Sequence, residues 1–213
     1  MGASGDCSKF SPQLLHKLQP VHAILWQNGT ATNLGNLGGT GRAYGNIALG
    51  LNQLGQVVGN SDLAGDKTNH AFLWTKEKGI QDLGTLPGDV NSAGISINDR
   101  GEVVGVSLDA NANLRAYHWQ SGKMADLNTL IAGDTSLYLV LACYINAAGE
   151  ITGLAFDTAS NDLHGFLATP TGDATGSSSA ASSRPLILSE DTRRLMQQRL
   201  AFWRLGYWQA PPR

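Results

Sequence analysis

The chain has 213 residues, of which 42% are hydrophobic and only 15% charged, and its formal net charge is −2. That balance gives no electrostatic case for nucleic acid or an anionic membrane, partners that demand a clustered basic face. No apolar run reaches the roughly 18 residues that span a bilayer, and 26 glycines suit many short strands joined by tight turns. Residues 1–21 form an N-terminal segment without the basic and apolar regions of a signal peptide. Cys7 and Cys143 are too few for a disulfide framework.

From residue 22 the elements recur. His22-Ala23-Ile24-Leu25-Trp26 and Asn33 to Leu37 are expected to be the last two strands of a unit whose first half is missing. The next unit opens with Ile47, Leu49 and Leu51 alternating with Asn46, Ala48 and Gly50, the period-two pattern of a half-buried strand. Asn52-Gln53-Leu54-Gly55 reads as a tight hairpin loop, with positive φ at the glycine. The second strand leads to Gly59, and the third is His70-Ala71-Phe72-Leu73-Trp74. That strand is apolar on both faces, as expected of one held between neighbouring sheets. Asp82-Leu83-Gly84 closes the unit.

A second full unit follows. Ala93, Ile95 and Ile97 alternate with Ser92, Gly94 and Ser96, ahead of the loop Asn98-Asp99-Arg100-Gly101. The second strand is Glu102 to Val106 and the third Arg115 to Trp119. A Ser121-Gly122 turn then leads to a fourth, Met124 to Leu130. The last unit has Leu141, Cys143 and Ile145 opposed to Val140, Ala142 and Tyr144, then Asn146 to Gly149, Gly153, and His164 to Ala168 without a fourth strand. Cys143 falls at the position of Leu49 and Ile95, so it reads as a small buried hydrophobe; the alternative is a bridge to Cys7.

The motif around His22, His70, Arg115 and His164 returns every 45 to 49 residues. Four short antiparallel strands in about 47 residues match one propeller blade. The expected fold is all-β: a β-propeller-like array of four-stranded antiparallel blades over residues 22–169, partial or open, about three blades. Propellers use four to eight blades, so the span reads as part of a larger propeller, or as an open arc that pairs with another copy. Residues 170–188 are a Ser/Gly/Ala-rich linker. Residues 189–213 form a short amphipathic helical tail, N-capped by Ser189, with Leu195, Met196, Leu200 and Trp203 as its apolar stripe. Such a tail packs on the protein's own surface or docks on a membrane surface or partner.

His70-Ala71-Phe72-Leu73-Trp74, Asp82-Leu83-Gly84-Thr85-Leu86 and Ile97-Asn98 to Val103-Val104-Gly105 together resemble the HAF repeat, which defines a family of extracellular repeat proteins in bacteria. The resemblance covers residues 22–169. It implies a secreted or surface-exposed, β-propeller-like protein with no established biochemical activity. Arg115 replaces the motif His in one copy and Ala168 the Trp in the last, which marks the His as structural.

Catalytic constellations are thin. Gly94-Ile95-Ser96-Ile97-Asn98 fails as a nucleophile elbow, and Gly35 to Gly41 lacks the ending of a phosphate loop. Asp82 and Asp126 occupy equivalent repeat positions, with Asn33 in the remaining copy. That favours a turn-stabilising hydrogen bond over the paired carboxylates of glycoside chemistry. No catalytic residue, cofactor or metal site is assigned. The chain reads as a non-catalytic extracellular binding or scaffolding module; the alternative is a fragment of an extracellular carbohydrate-active propeller enzyme. A ligand is expected on the loops between second and third strands, which hold Asp62, Asp66, Asp109, Asp157 and Asp162. The expected partner is a glycan or a cell-surface protein, with self-association through open blade edges and no nucleic acid or transmembrane segment.

Overall fold

The structure, a computed structural model, describes residues 20–132, 135–171 and 189–190. Cys7, the linker from residue 172 and the helical tail beyond Glu190 lie outside the described residues. Among the described residues thirteen strands form four antiparallel sheets. β1 (Ile24–Gln27) and β2 (Thr30–Asn33) make the first. The second is β3 (Ile47–Leu51), β4 (Val57–Asp62), β5 (Asn69–Thr75) and β6 (Gly79–Gly84). The third is β7 (Asn91–Ile97), β8 (Val103–Leu108), β9 (Leu114–Gln120) and β10 (Lys123–Asp126). The fourth has three strands, β11 (Leu137–Ile145), β12 (Ile151–Asp157) and β13 (Asp162–Ala168). Within each sheet the strands pair in chain order, and none closes into a barrel.

The sheets stack in chain order, and the core lies between them. Ala23 and Leu34 pack on Val57, Phe72 and Trp74 between the first and second sheets. Val58, Ala71 and Leu73 meet Ile97, Val103 and Tyr117 between the second and third. Two clusters join the third to the fourth, one around Val106, Leu108, Val140 and Phe156, the other around Val104, Ala116, Ala142 and Ile145. The two-sided apolar pattern of β5 follows from this: one face serves each neighbour.

Two strand ends differ from expectation. β2 ends at Asn33 instead of beginning there, because the Asn33 side chain accepts the Gly35 amide (2.9 Å) and turns the chain. The fourth strand of the third sheet stops at Asp126, not Leu130. Asp126 caps a single 3-10 turn over Leu127–Thr129.

The first strands also depart from simple alternation. Each carries a β-bulge at the same place, with Leu49, Ile95 or Cys143 as the extra residue, and β11 has a second at Val140. The bulge turns a main-chain carbonyl onto the second strand. A Cβ on Gly59, Gly105 or Gly153 would overlap the carbonyl oxygen of Ile47, Ala93 or Leu141 respectively. An aromatic ring from the third strand, Phe72, Tyr117 or Phe166, crowds the same spot. Only glycine fits there. Cys143 is accordingly half-buried instead of a regular core position; it is a free thiol whose pKa burial pushes up.

The hairpin loops form as expected, with Gly55, Gly101 and Gly149 at φ of 75°, 76° and 87°. Each loop's Asn side chain accepts the amide of the residue four on: Gln56, Glu102 and Glu150. The amide end of Asn52 also donates to the Asn98 carbonyl (2.9 Å), and that of Asn98 to the Asn146 carbonyl (3.1 Å). One side chain thus shapes its own turn and ties it to the next sheet.

Candidate functional site

Three loops join second to third strands: residues 63–68, 109–113 and 158–161. Each occupies the same place in its sheet. Of the five carboxylates expected there, Asp66 and Asp109 lie in the loops, while Asp62, Asp157 and Asp162 are instead terminal residues of β4, β12 and β13; they divide by what they already hold.

Asp62 is fully buried. It accepts the amides of Ala43 (3.1 Å), Tyr44 (3.0 Å) and Gly45 (3.3 Å), fixing the linker between the first two sheets. Burial raises its pKa against the lowering effect of those bonds. Asp66 accepts the Thr40 amide (2.7 Å) and the Thr40 hydroxyl. Asp109 folds its own loop, taking the amides of Asn111 (2.8 Å) and Asn113 (2.9 Å). Asp157 does the same with the Ala159 amide (2.9 Å) and the Ser160 hydroxyl (3.0 Å), and such bonds lower its pKa. Asp162, exposed at the start of β13, is register-paired with Asp157. Four of the five acids therefore organise main chain, and Asp162 is exposed beside a finished turn. Among the described residues no three His, Cys, Asp or Glu side chains converge as a metal site.

The repeated histidine and aspartate meet as a structural pair. His70 Nδ1 lies 3.0 Å from Asp82, which also accepts the Gly84 amide (2.7 Å). Burial raises the Asp82 pKa, but the bonds from His70 and Gly84 outweigh it and leave the carboxyl below its usual range. In the next sheet Arg115 takes the place of His70. It reaches Asp126 (3.4 Å), Asp89 (2.8 Å) and the Pro87 carbonyl (2.8 Å) in a buried cluster. Asp126 accepts the Asn128 amide (2.9 Å) just as Asp82 accepts that of Gly84. The turn-stabilising role expected of Asn33, Asp82 and Asp126 is what all three perform.

Sequence reasoning missed one group at the opposite ends of the strands. Glu102 accepts from Arg100 Nε (2.9 Å) and Nη2 (2.6 Å) and from the Asn98 amide. His118 Nε2 stands 3.8 Å from Glu102 Oε1, beyond hydrogen-bond reach. Burial raises the Glu102 pKa, yet its bonds to Asn98 and Arg100 carry it below the usual value. Burial pushes His118 down, only partly offset by Glu102. The signal was legible: His118 holds the place of Leu25, Leu73 and Leu167. A general base needs hydrogen-bond contact with a proton to abstract. Here the anion is already held by Arg100 and Asn98, so the group reads as a brace between loop and strand. Arg100 extends that brace to the Ala147 carbonyl of the fourth sheet. Among the described residues no helix is long and apolar enough to cross a membrane. No protein-family model, curated protein or solved structure matches the chain.

Proposed function

We propose that this chain is a non-catalytic binding or scaffolding module of the HAF-repeat type, with its sheets arranged as propeller-like blades and its working place outside the cell. The observation that carries the reading is how its polar side chains are spent. His70, Asp82, Arg115, Asp126 and the Asn52–Asn98–Asn146 series are committed to turns and to joints between sheets. A stack held this way is a rigid scaffold, and recognition then falls to the loops it displays. The ligand class we favour is a glycan, met by the loops at 109–113 and 158–161 and by Asp162.

The test is a glycan array with the native chain and with Asp162→Ala, a change that leaves the turn built on Asp157 in place. Saturable glycan binding, weakened at least fivefold in the variant, is expected. Binding that Asp162→Ala leaves untouched removes these loops as the site. Turnover of chromogenic glycosides, abolished by Glu102→Gln, would instead establish an enzyme.

A further inference from the structure

Among the described residues the first sheet has only β1 and β2, and they hold third- and fourth-strand places: Trp26 stands where Trp74 and Trp119 stand in β5 and β9. In the complete sheets the third strand's other edge pairs with the second strand, Val57 opposite Trp74 and Val103 opposite Trp119. The corresponding edge of β1 pairs with no strand among the described residues. Trp26 is 71% exposed.

The gap is felt one sheet further on. β7 lies over β4, so closely that a Cβ on Gly94 would sit 3.3 Å from the Val58 Cβ. Ile97 is buried there in one cluster with Val58 and Leu73. Ile145 repeats the arrangement with Val104 and Ala116. Among the described residues β3 has no second strand to lie over. Leu51, at the position of Ile97 and Ile145, is 70% exposed where they are 6% and 2%. The asparagine series stops at the same place. The Asn98 and Asn146 carbonyls each receive the Asn amide of the preceding sheet, and among the described residues no such amide reaches Asn52.

We propose that this surface docks a β-hairpin that carries the repeat's own first-two-strand pattern and comes from outside this sequence. Its Val-Val-Gly strand adds antiparallel to the free edge of β1, with the valines opposite Trp26 and Leu25 and the glycine opposite Ile24. The second valine covers Leu51 as Val58 covers Ile97, and the hairpin Asn donates to the Asn52 carbonyl. Strand addition supplies main-chain hydrogen bonds, and the apolar seats set the register. Residues 1–19 and 172–213 contain neither Asn nor Val, so neither stretch carries that pattern. The surface is independent of the glycan reading.

The probe is a peptide of residues 91–108, linear and backbone-cyclised, the second form removing the cost of ordering the hairpin. It is titrated into the full chain by calorimetry, with hydrogen exchange read at Ile24–Gln27. Saturable one-to-one binding by either peptide, slowed exchange in β1, and at least tenfold weakening in Leu51→Asp are expected. Leu51 is exposed, so that variant keeps the fold. No binding by either form, or binding indifferent to Leu51→Asp, overturns the proposal. So does a dimer in sedimentation that Leu51→Asp dissociates, because the occupant would then be a second copy.

Discussion

The two complete sheets, β3–β6 and β7–β10, perform the same structural tasks with different chemistry. At the joint of third and fourth strands, the former uses His70 and Asp82, with side chains 20% and 43% exposed. The latter uses Arg115 between Asp89 and Asp126, at 6%, 1% and 6%. The repeat fixes where a polar contact must be made; burial decides what it costs to break. A half-exposed pair is screened by water and worth little, whereas a buried ion group is costly to leave half made. The same contrast appears in the second strands. Asn60 in β4 is fully buried with no hydrogen-bond partner for its side chain among the described residues, where β8 has Val106.

Breaking the buried cluster gives the largest effect. Arg115→Ala strands Asp89 and Asp126 without their counter-charge and should cost about 3 to 5 kcal/mol. Urea unfolding followed by far-UV circular dichroism measures it. Arg115→Met combined with Asp89→Asn and Asp126→Asn should recover most of that loss. A single Arg115→Ala variant as stable as the native chain would show that the cluster is solvated.

Asn60→Val tests the comparison in the opposite direction. Leaving a buried polar group unsatisfied costs about 1 to 3 kcal/mol, so giving β4 the residue of β8 should stabilise the chain by about that amount. A lower unfolding midpoint for the variant would mean that Asn60 holds an ordered water that valine expels.

Gly101→Val probes a feature the two sheets share. Gly55 and Gly101 both sit at positive φ. A β-branched residue there should cost about 1 to 2 kcal/mol, read as a lower urea midpoint at unchanged slope.

The hairpin glycines were legible because the loops recur with an Asn three residues before each. Strand number and order were legible for the same reason. The bulges were not, since an inserted residue does not disturb a period-two pattern as short as Ser92–Ile97. Their only sequence trace is the glycine they press upon, at 59, 105 and 153. Asp62 looks like any loop acid when read locally. Aligned with the other units it falls on Leu108 and Phe156, both buried, and that apolar register was the clue to its burial. Asp89 had no such clue, because its partner Arg115 lies 26 residues away and in another element.

His118 gives the smallest and most specific effect. Its counterpart in β5 is Leu73, and burial holds its pKa below the ordinary value of 6.5. Between the folded value and about 6.5 the unfolded chain binds the proton more readily, so stability falls as pH drops through that window. The carboxylates that are held low, Asp82 and Glu102, lose their contributions at more acid pH, as pH falls through their lowered values. The two phases therefore separate on the pH axis. Replacing His118 with the residue of the neighbouring sheet, His118→Leu, should flatten the unfolding midpoint just below about pH 6.5 and leave the lower acid limb in place. If both proteins lose stability in parallel from pH 7 downward, His118 is protonated without penalty.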